Sequence, residues 1–317
     1  MKNKVILSKR YVNEAIEELK RNYELIIAED ENKPLIEVLK QNPNTIAVIS
    51  FLSDKIDKEF IDIGKNLKII SNYAVGYNNI DIEYAKQKGI IVTNTPDVLT
   101  NATADLTMAL ILSVSRRIVE SDKFVRQGKF KGWHALMFLG KELNGATIGI
   151  VGLGRIGTAV GIRAKGFGMN VIYYSKTRKP DIEKKYGFVY KTFVELIKTS
   201  DIVSLHLPYS EDVHHLFDKD AFDLMKKDAI FINVARGKIV DESYLAEKLE
   251  KKELFGAGLD VYEFEPNVTE KLKTLDNVVL TPHTGSATQK TRYEMAMLTI
   301  NNIKNVLNGK KPLTPVY

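Results

Sequence analysis

The 317-residue chain contains no cysteine, which excludes disulfides, thiol nucleophiles and thiolate metal sites. It also lacks any apolar run near the ~20 residues that span a membrane. The longest run, Leu106–Val114, is interrupted by Thr107 and Ser113. The apolar stretch that follows the basic N-terminus is short, because the charged residues Lys9 and Arg10 end it. We therefore expect no signal peptide. We therefore expect a cytoplasmic protein without a membrane partner.

Charge is not concentrated in one block either. The net charge is +6 and the pI about 9.0, but the lysines are spread along the chain. The densest spots, Lys176–Lys179 and Lys310-Lys311, are short. This spacing is typical of solvated helix faces that also attract small anions, and we expect no nucleic-acid partner. A hydrophobic share of 44% and this length suit a globular protein of two domains.

Short apolar runs alternate with amphipathic segments through the first hundred residues. Strands are predicted at Lys4–Ser8, Leu25–Ala28, Ile46–Phe51, Lys68–Asn72 and Ile90–Thr93. Helices such as Val12–Tyr23 and Leu35–Gln41 lie between them. The pattern predicts a parallel sheet with helices on both faces.

A second series follows a long helix. That helix is predicted from Thr100 or Asn101, either of which could cap it, toward Ile118 and Val119, with Asp105 in its first turn. Further strands are predicted at Thr147–Val151, Val171–Tyr174, Ile202–His206, Ala229–Asn233, Gly256–Asp260 and Val278–Leu280, before a last helix at Thr288–Leu307.

These two series predict an α/β protein with two doubly wound parallel-sheet domains and a cleft between them. No low-complexity linker separates the series, so we expect short crossings near residues 96–101 and 283–288. The last helix is expected to return to the first domain. The prediction is a discontinuous flavodoxin-like substrate-binding domain, residues 1–99 and 286–317, and a Rossmann dinucleotide-binding domain, residues 100–285.

A glycine-rich turn carries the first functional signal. Gly152-Leu153-Gly154-Arg155-Ile156-Gly157 follows a predicted strand and precedes a helical stretch, Thr158–Phe167, and another strand. By itself such a motif often marks an ordinary turn. Between strand and helix, it predicts a site where a dinucleotide pyrophosphate lies on the helix N-terminus.

The end of the second strand bears on the choice of nucleotide. An NAD site usually places Asp or Glu there for the ribose 2′-hydroxyl. This chain has Ser175, Lys176, Thr177 and Arg178 instead, which could bond a 2′-phosphate. Each charge-assisted bond contributes about 1.5–3 kcal/mol. The alternative is a solvated basic turn, so NADP(H) is favoured and NAD(H) stays possible.

Four ordered motifs resemble those of the D-isomer-specific 2-hydroxyacid dehydrogenases. They are Leu153–Gly157, Asn233–Gly237, Gly258–Pro266 and Thr281–Ser286. Four more stretches are similar to the glyoxylate/hydroxypyruvate reductases of that family: Leu52–Asp57, Asn72–Asp81, Trp133–Gly140 and Tyr173–Arg178. The resemblance implies reduction of a small 2-keto acid to its D-2-hydroxy acid by hydride transfer from a nicotinamide cofactor.

The same resemblance assigns the catalytic roles. It makes His283 the general acid, Glu265 its partner and Arg236 the group that binds the substrate. The residue types suit these roles, because a carboxylate stabilises imidazolium and a planar guanidinium binds carboxylate at two points. Taken singly, each has a structural alternative: a capping arginine, an acidic residue before a proline, and a loop histidine.

The resemblance also implies binding contacts. Backbone N–H groups of Val75 and Gly76 would hold the substrate carboxylate, together with Arg236 and His283. Cofactor contacts are implied for Thr103, Gly152, Gly154, Arg155, Ile156, Gly157, Ser175, Lys176, Thr177, Arg178, Leu207, Pro208, Val234, Ala235, Asp260 and Gly285. Val213 stands where the family commonly has Thr, which puts a hydroxyl contact there in doubt.

The remaining histidines are interpreted as structural. They are His134, His206, His214 and His215, and no spacing suggests a metal site. The segment that holds His134 and Met137 takes part in dimer contacts in related enzymes. We therefore expect a homodimer with packing, and not catalysis, at this segment.

Other functions share this chemistry or fold. D-lactate and 3-phosphoglycerate dehydrogenases are alternatives, although the second usually carries a regulatory domain, which we do not expect because no residues follow Tyr317. Formate dehydrogenase relatives have an amide in place of the histidine's acidic partner, so Glu265 disfavours them. Non-catalytic NAD(H)-sensing corepressors can keep the site residues but often carry disordered extensions, which we do not expect in this protein.

Overall fold

The computed structural model describes residues 2–28, 30 and 33–317. The chain divides into two compact units. The first unit comprises Met1–Leu99 and Ser286–Tyr317, and the second comprises Thr100–Gly285. Among the described residues, no helix has the length and apolar character needed to cross a membrane.

The first unit is built on a five-stranded parallel sheet in the order β2-β1-β3-β4-β5. Its strands are β1 Lys4–Leu7, β2 Glu24–Ile27, β3 Thr45–Ser50, β4 Ile69–Asn72 and β5 Ile91–Thr93. Its helices are α1 Asn13–Asn22, α2 Leu35–Gln41, α3 Lys58–Ile63, α4 Ile82–Gln87 and α13 Gln289–Leu307. The order is that of flavodoxin-like folds. Every strand predicted here is present, with each end within one residue of the prediction.

The C-terminal helix α13 belongs to this first unit. The Thr288 side chain caps the helix by accepting a hydrogen bond from the Thr291 backbone N–H. Threonine is among the residues favoured at this position. Tyr73, just after β4, donates its hydroxyl to the Arg292 carbonyl at 2.8 Å. The chain therefore leaves the first unit after residue 99 and returns to it near residue 286.

The second unit contains a seven-stranded parallel sheet in the order β12-β11-β10-β9-β6-β7-β8. The strands are β6 Thr147–Val151, β7 Asn170–Tyr174, β8 Val189–Tyr190, β9 Ile202–Leu205, β10 Ile230–Asn233, β11 Gly256–Leu259 and β12 Val278–Leu280. The helices are α5 Thr100–Ser115, α6 Ile118–Arg126, α7 Arg155–Gly166, α8 Pro180–Tyr186, α9 Phe193–Thr199, α10 Lys219–Asp223, α11 Glu242–Glu250 and α12 Glu270–Thr274. Strand order reverses between β6 and β9, the point where doubly wound sheets bind ligands.

The long helix that opens the second unit differs from its prediction. It ends at Ser115 and α6 begins at Ile118, because Arg117 adopts a left-handed conformation with φ of 52° and breaks the helix. Its first helical residue is Thr100, which places Asp105 beyond the first turn. The Asp105 carboxylate accepts a hydrogen bond from Arg163 Nε of α7 at 2.7 Å instead.

Two further elements depart from expectation in this unit. Helix α7 begins at Arg155, before the predicted start at Thr158, because Gly154 already serves as its N-cap. Strand β8 was not predicted, since two residues are too few to establish an alternating pattern. Neither difference moves the glycine turn, which joins β6 to α7.

Candidate active site

The glycine turn lies at the point where the strand order of the second unit reverses. Gly152 has φ of +102°, and a Cβ there would lie 2.8 Å from the His206 carbonyl carbon. A Cβ at Gly157 would collide with the Gly152 carbonyl oxygen. A Cβ at Gly154 would meet no atom of the described residues within 4 Å. Packing thus requires the first and third glycines, while the second leaves open space at the start of α7 that fits a pyrophosphate.

The predicted phosphate contacts after β7 already have protein partners. Arg178 makes two bonds to Glu183, at 2.9 and 2.8 Å, and Lys176 pairs with Asp212. Hydrogen bonds from Arg178 and the Tyr173 hydroxyl lower the pKa of Glu183 to about 2. Sequence inspection missed both carboxylates, because Asp212 lies 36 residues beyond Lys176 and Glu183 lies in the next helix.

Two more residues complete the turn after β7. The Ser175 hydroxyl donates to the Thr177 carbonyl oxygen at 2.6 Å, which folds Ser175–Arg178 back on itself. A ribose phosphate bound here would share the cations of Lys176 and Arg178 with their carboxylate partners. A 2′-phosphate would therefore compete with Asp212 and Glu183 for these two cations. The sequence alone did not reveal this competition.

The end of β9 contacts the glycine turn. A Cβ at Gly152 would lie 2.9 Å from the Leu207 backbone nitrogen, so Leu207 and Pro208 follow a segment packed directly on this turn. His206 bonds Ser204 through Nε2 at 2.9 Å, while its Nδ1 is buried without a partner among the described residues. Burial lowers the pKa of His206 to about 3, so this imidazole is neutral at physiological pH.

The loop after β10 presents Arg236. Asn233 holds this loop: its Oδ1 accepts from the Ala235 N–H and its Nδ2 donates to the Arg236 carbonyl, each at 3.0 Å. Val234 and Ala235 are buried in the turn. The Arg236 guanidinium donates to the Ala235 carbonyl at 2.6 Å and has no carboxylate within ion-pair distance among the described residues. Burial lowers the pKa of Arg236 and the charge of Glu265 opposes that shift.

His283 and Glu265 form a hydrogen-bonded pair. His283 Nδ1 lies 3.0 Å from Glu265 Oε2, and Glu265 Oε1 accepts from the Tyr262 backbone N–H at 3.0 Å. Burial raises the pKa of Glu265, but bonding to His283, the Tyr262 N–H and the charge of Arg236 together bring it below its ordinary value. Glu265 is therefore a carboxylate at neutral pH, and it leaves Nε2 of His283 available for a ligand.

Asp260 fixes the segment that carries His283. Its side chain is 1% exposed and accepts hydrogen bonds from the Thr281 hydroxyl at 2.6 Å, the Thr284 N–H at 2.7 Å and the Gly285 N–H at 2.8 Å. The Asp260 carbonyl accepts from the His283 N–H at 2.9 Å. A Cβ at Gly285 would lie 3.3 Å from both Asp260 Oδ2 and Thr103 Cγ2, so these three predicted cofactor residues lie together.

Val75 and Gly76 follow β4 in the first unit. Asn94 Nδ2 donates to the Val75 carbonyl at 2.8 Å and Asn72 Nδ2 donates to the Gly76 carbonyl at 2.7 Å. These two asparagines orient the peptide groups of the loop. The sequence predicted this loop but not the asparagines that bind its carbonyl groups. Asn94, for example, follows β5, whereas the loop follows β4.

Among the described residues, no group of three or more His, Asp or Glu side chains could hold a metal ion. Val213, where the family commonly has Thr, is buried in the apolar core of the second unit. Its side chain therefore contributes packing at that position.

A doubly wound sheet with an open glycine turn at its reversal is typical of dinucleotide-binding domains, and here an imidazole–carboxylate pair lies at the same carboxyl edge. Residues 108–285 match the family described as "D-isomer specific 2-hydroxyacid dehydrogenase, NAD binding domain". The chain belongs to the D-isomer specific 2-hydroxyacid dehydrogenase family. The predicted family, fold class and oxidoreductase activity are thereby confirmed, as is the use of a nicotinamide cofactor.

Similar proteins extend this assignment over the whole chain. The glyoxylate reductase of Thermococcus onnurineus is 47% identical over 321 residues, covering 100% of this chain and 96% of that protein. The glyoxylate reductase of Thermococcus litoralis is 48% identical over 317 residues, covering 98% and 96%.

Solved structures agree in fold. The NADPH-dependent glyoxylate/hydroxypyruvate reductase of Sinorhizobium meliloti, in complex with NADP and malonate, has a TM-score of 0.90 at 31% identity, covering 100% of this chain and 97% of that one. The D-lactate dehydrogenase of Aquifex aeolicus, complexed with NAD and lactic acid, has a TM-score of 0.85 at 31% identity, covering 97% and 96%.

Proposed function

We propose that this protein reduces glyoxylate and hydroxypyruvate to the corresponding 2-hydroxy acids, with NADPH as the favoured hydride donor. The observation that carries the proposal is the 3.0 Å contact between His283 Nδ1 and the ionised Glu265, with Arg236 contributing charge to the same carboxylate. The names of the Thermococcus relatives support the substrate class.

The residues supply the proton and the anion contacts of this reaction. The hydride for the carbonyl carbon would be supplied by a nicotinamide cofactor held at the glycine turn. His283 donates its Nε2 proton to the carbonyl oxygen, and Glu265 accepts the Nδ1 hydrogen bond and so orients the ring. Arg236 binds the keto-acid carboxylate and orients the carbonyl. One hydride and one proton convert the carbonyl to the hydroxyl.

Backbone groups complete the proposed binding contacts. The Val75 and Gly76 amides stay a predicted contact for the substrate carboxylate, and the Asn94 bond to the Val75 carbonyl fixes the peptide that carries the Gly76 N–H. The cofactor contacts are those predicted for the glycine turn, Ser175–Arg178 and the cluster of Thr103, Asp260 and Gly285. Glycine at position 154 supports pyrophosphate binding, since its outer face is open.

The preference for NADPH rests on the turn after β7. No carboxylate among Ser175–Arg178 accepts a ribose 2′-hydroxyl, and two cations are present. The side chains of Lys176 and Arg178 are 74% and 63% exposed, so a bound phosphate can reach both cations and compete with Asp212 and Glu183 for them. A higher kcat/KM with NADPH than with NADH supports this assignment, and the reverse order refutes it.

The segment after α6 supports a homodimer. Trp133 and Leu136 are 80% and 81% exposed, and Leu139 and Phe130 are exposed beside them in sequence. A contiguous stretch with so much exposed apolar surface suits an interface with a second copy. Light scattering that gives twice the 35.8 kDa chain mass supports this, and a monomer at micromolar concentration contradicts it. The cytoplasmic location stays a prediction.

A steady-state survey tests the function as a whole. Glyoxylate, hydroxypyruvate and pyruvate are each assayed with NADPH and with NADH. We expect kcat/KM for the first two acids to exceed that for pyruvate by about tenfold, the size of one lost or gained pocket contact. Preference for pyruvate indicates a D-lactate dehydrogenase. No turnover of any acid, with nucleotide binding retained, indicates a non-catalytic nucleotide sensor.

A further inference from the structure

A second histidine–carboxylate pair lies in the loop that carries Glu265. His215 Nε2 contacts Glu263 Oε1 at 2.6 Å, and the Glu263 side chain is only 9% exposed. Glu263 precedes Glu265 by two residues in this loop. His215 adopts a left-handed conformation with φ of 48°, so the backbone is constrained where the pair forms.

Glu263 is also tied to the start of α11 by reciprocal bonds. Its Oε2 accepts from the Glu242 N–H at 3.2 Å, and Glu242 Oε2 accepts from the Glu263 N–H at 2.9 Å. The second oxygen of Glu242 accepts from the Thr269 N–H at 2.9 Å. Glu242 is 3% exposed. The loop around Glu265 is therefore held on both sides by buried carboxylates.

The segment of His215 holds the loop that follows Arg236. The His215 N–H donates to the Lys238 carbonyl at 3.0 Å, and Phe217 forms an isolated parallel bridge with Val240. On the other side, a Cβ at Gly237 would collide with the Tyr262 carbonyl group, so this glycine lies against the loop of Glu265. The residues after Arg236 thus lie between the two segments that the His215–Glu263 pair joins.

Stability alone does not account for this arrangement. A hydrogen bond between a largely buried carboxylate and an imidazole that is 34% exposed contributes little net stability, because each group gives up hydrogen bonds to water to form it. What the pair does provide is a fixed geometry between three segments, two of which carry proposed catalytic residues. A displacement of about 1 Å in such residues can lower the rate a hundredfold.

We propose that His215 and Glu263 are positioning residues that hold Glu265 and Arg236 in their working geometry. This inference rests on the proposed function of those two residues. It changes the interpretation of His215, which the sequence indicated only as a structural histidine. Neither positioning residue is assigned contact with the substrate.

Substitutions at the pair give the first test. H215A and E263Q are expected to lower kcat for glyoxylate by about ten- to a hundredfold, with the KM for the cofactor changed less than about twofold. H215Q keeps an N–H at the position of Nε2 and is expected to recover most of the activity that H215A loses. Equal activity of H215A and the wild type overturns the proposal.

A matched control distinguishes positioning from general loss of stability. Lys248 on α11 is also largely buried and bonds Asp223 and Glu253, an ion-pair cluster that touches none of the proposed site residues. K248Q removes the buried member of that cluster and is expected to lower the melting temperature while keeping wild-type kcat. A loss of kcat in K248Q equal to that in E263Q overturns the proposal.

A double variant with E263Q and E265Q tests whether the pair affects kcat through the position of Glu265. If part of the effect of the pair is to place the Glu265 carboxylate, E263Q has less left to disturb once that carboxylate is gone, and only its effect on Arg236 remains. The double variant E263Q/E265Q is then expected to lose less kcat than the product of the two single losses. Full additivity of the two losses in kcat contradicts positioning through Glu265.

A final readout does not depend on turnover. Carboxyl-carbon NMR, assigned by comparison with E265Q, follows the ionisation of Glu265 in wild type and H215A. The pKa of Glu265 is expected to rise in H215A, because the hydrogen bond to His283 that lowers it is loosened. An unchanged pKa overturns the positioning proposal even if the enzyme is active. A raised pKa in a protein that reduces no keto acid supports the pair and rejects the proposed function.

Discussion

His283 Nδ1 lies 3.0 Å from Glu265 Oε2, although 18 residues separate them along the chain. Their loops follow β12 and β11, which are adjacent parallel strands, so both side chains reach the same edge of the sheet. The pair fixes the ring so that its other nitrogen is available for proton transfer. The proposed reaction depends on this orientation.

Removal of the proton donor is the first prediction. H283Q is expected to lower kcat for glyoxylate by about 10²–10⁴-fold, the usual contribution of a general acid. The melting temperature and nucleotide affinity should stay near wild type, since the ring bonds only Glu265 among the described side chains. H134Q, at an exposed histidine, serves as the control and should keep full turnover. Normal kcat in H283Q would mean that another group supplies the proton.

The anion contact at Arg236 gives a second prediction. R236K keeps a positive charge but loses the planar two-point contact, so kcat/KM should fall by about ten- to a hundredfold. R236L should raise KM and lower kcat together, because the substrate then loses both attraction and orientation. Steady-state kinetics with glyoxylate measure both effects. A change confined to thermal stability would assign Arg236 a structural role.

The depressed pKa of Glu265 gives a third prediction, for stability against pH. A carboxyl group whose pKa is lower in the folded than in the unfolded chain stabilises the fold above its unfolded pKa, and loses that contribution as pH falls through the folded value. The free energy of unfolding of wild type should therefore exceed that of E265Q at pH 6, and the difference should shrink below the ordinary carboxyl pKa of 4.5. Urea unfolding across pH 6 to about 3 measures it. A difference that grows on acidification contradicts the assigned ionisation.

The cofactor turn gives a fourth prediction. R178A should lower kcat/KM for NADPH by about tenfold and change NADH little, because only the phosphate loses a charge-assisted bond. D212N and E183Q remove carboxylates that compete for Lys176 and Arg178, so each should raise the NADPH-to-NADH ratio. Equal losses with both nucleotides in R178A would assign that arginine to the fold.

Sequence patterns predicted the sheets of this protein well because buried parallel strands are short apolar runs, and all predicted strands formed. The break at Arg117 was not predictable, since a left-handed residue leaves no periodic signal. The motifs identified the family, while the roles of Arg236, Glu265 and His283 stay predictions.

The supporting residues of the site escaped sequence analysis for one physical reason. Glu263 pairs with His215 across 48 residues, and Asn94 supports Val75 across 19. Such partners meet only after the strands assemble side by side. The motif Gly258–Pro266 contains Glu263, but it does not show that His215 is the partner of this carboxylate.

The most direct test of the proposed chemistry is a crystal structure of the protein with NADP and oxamate, an unreactive analogue of a small 2-keto acid. We expect the oxamate carboxylate on the Arg236 guanidinium and its carbonyl oxygen within hydrogen-bond distance of His283 Nε2, with Glu265 still on Nδ1. An oxamate bound away from Arg236, or with its carbonyl oxygen out of reach of His283, would contradict the proposed chemistry.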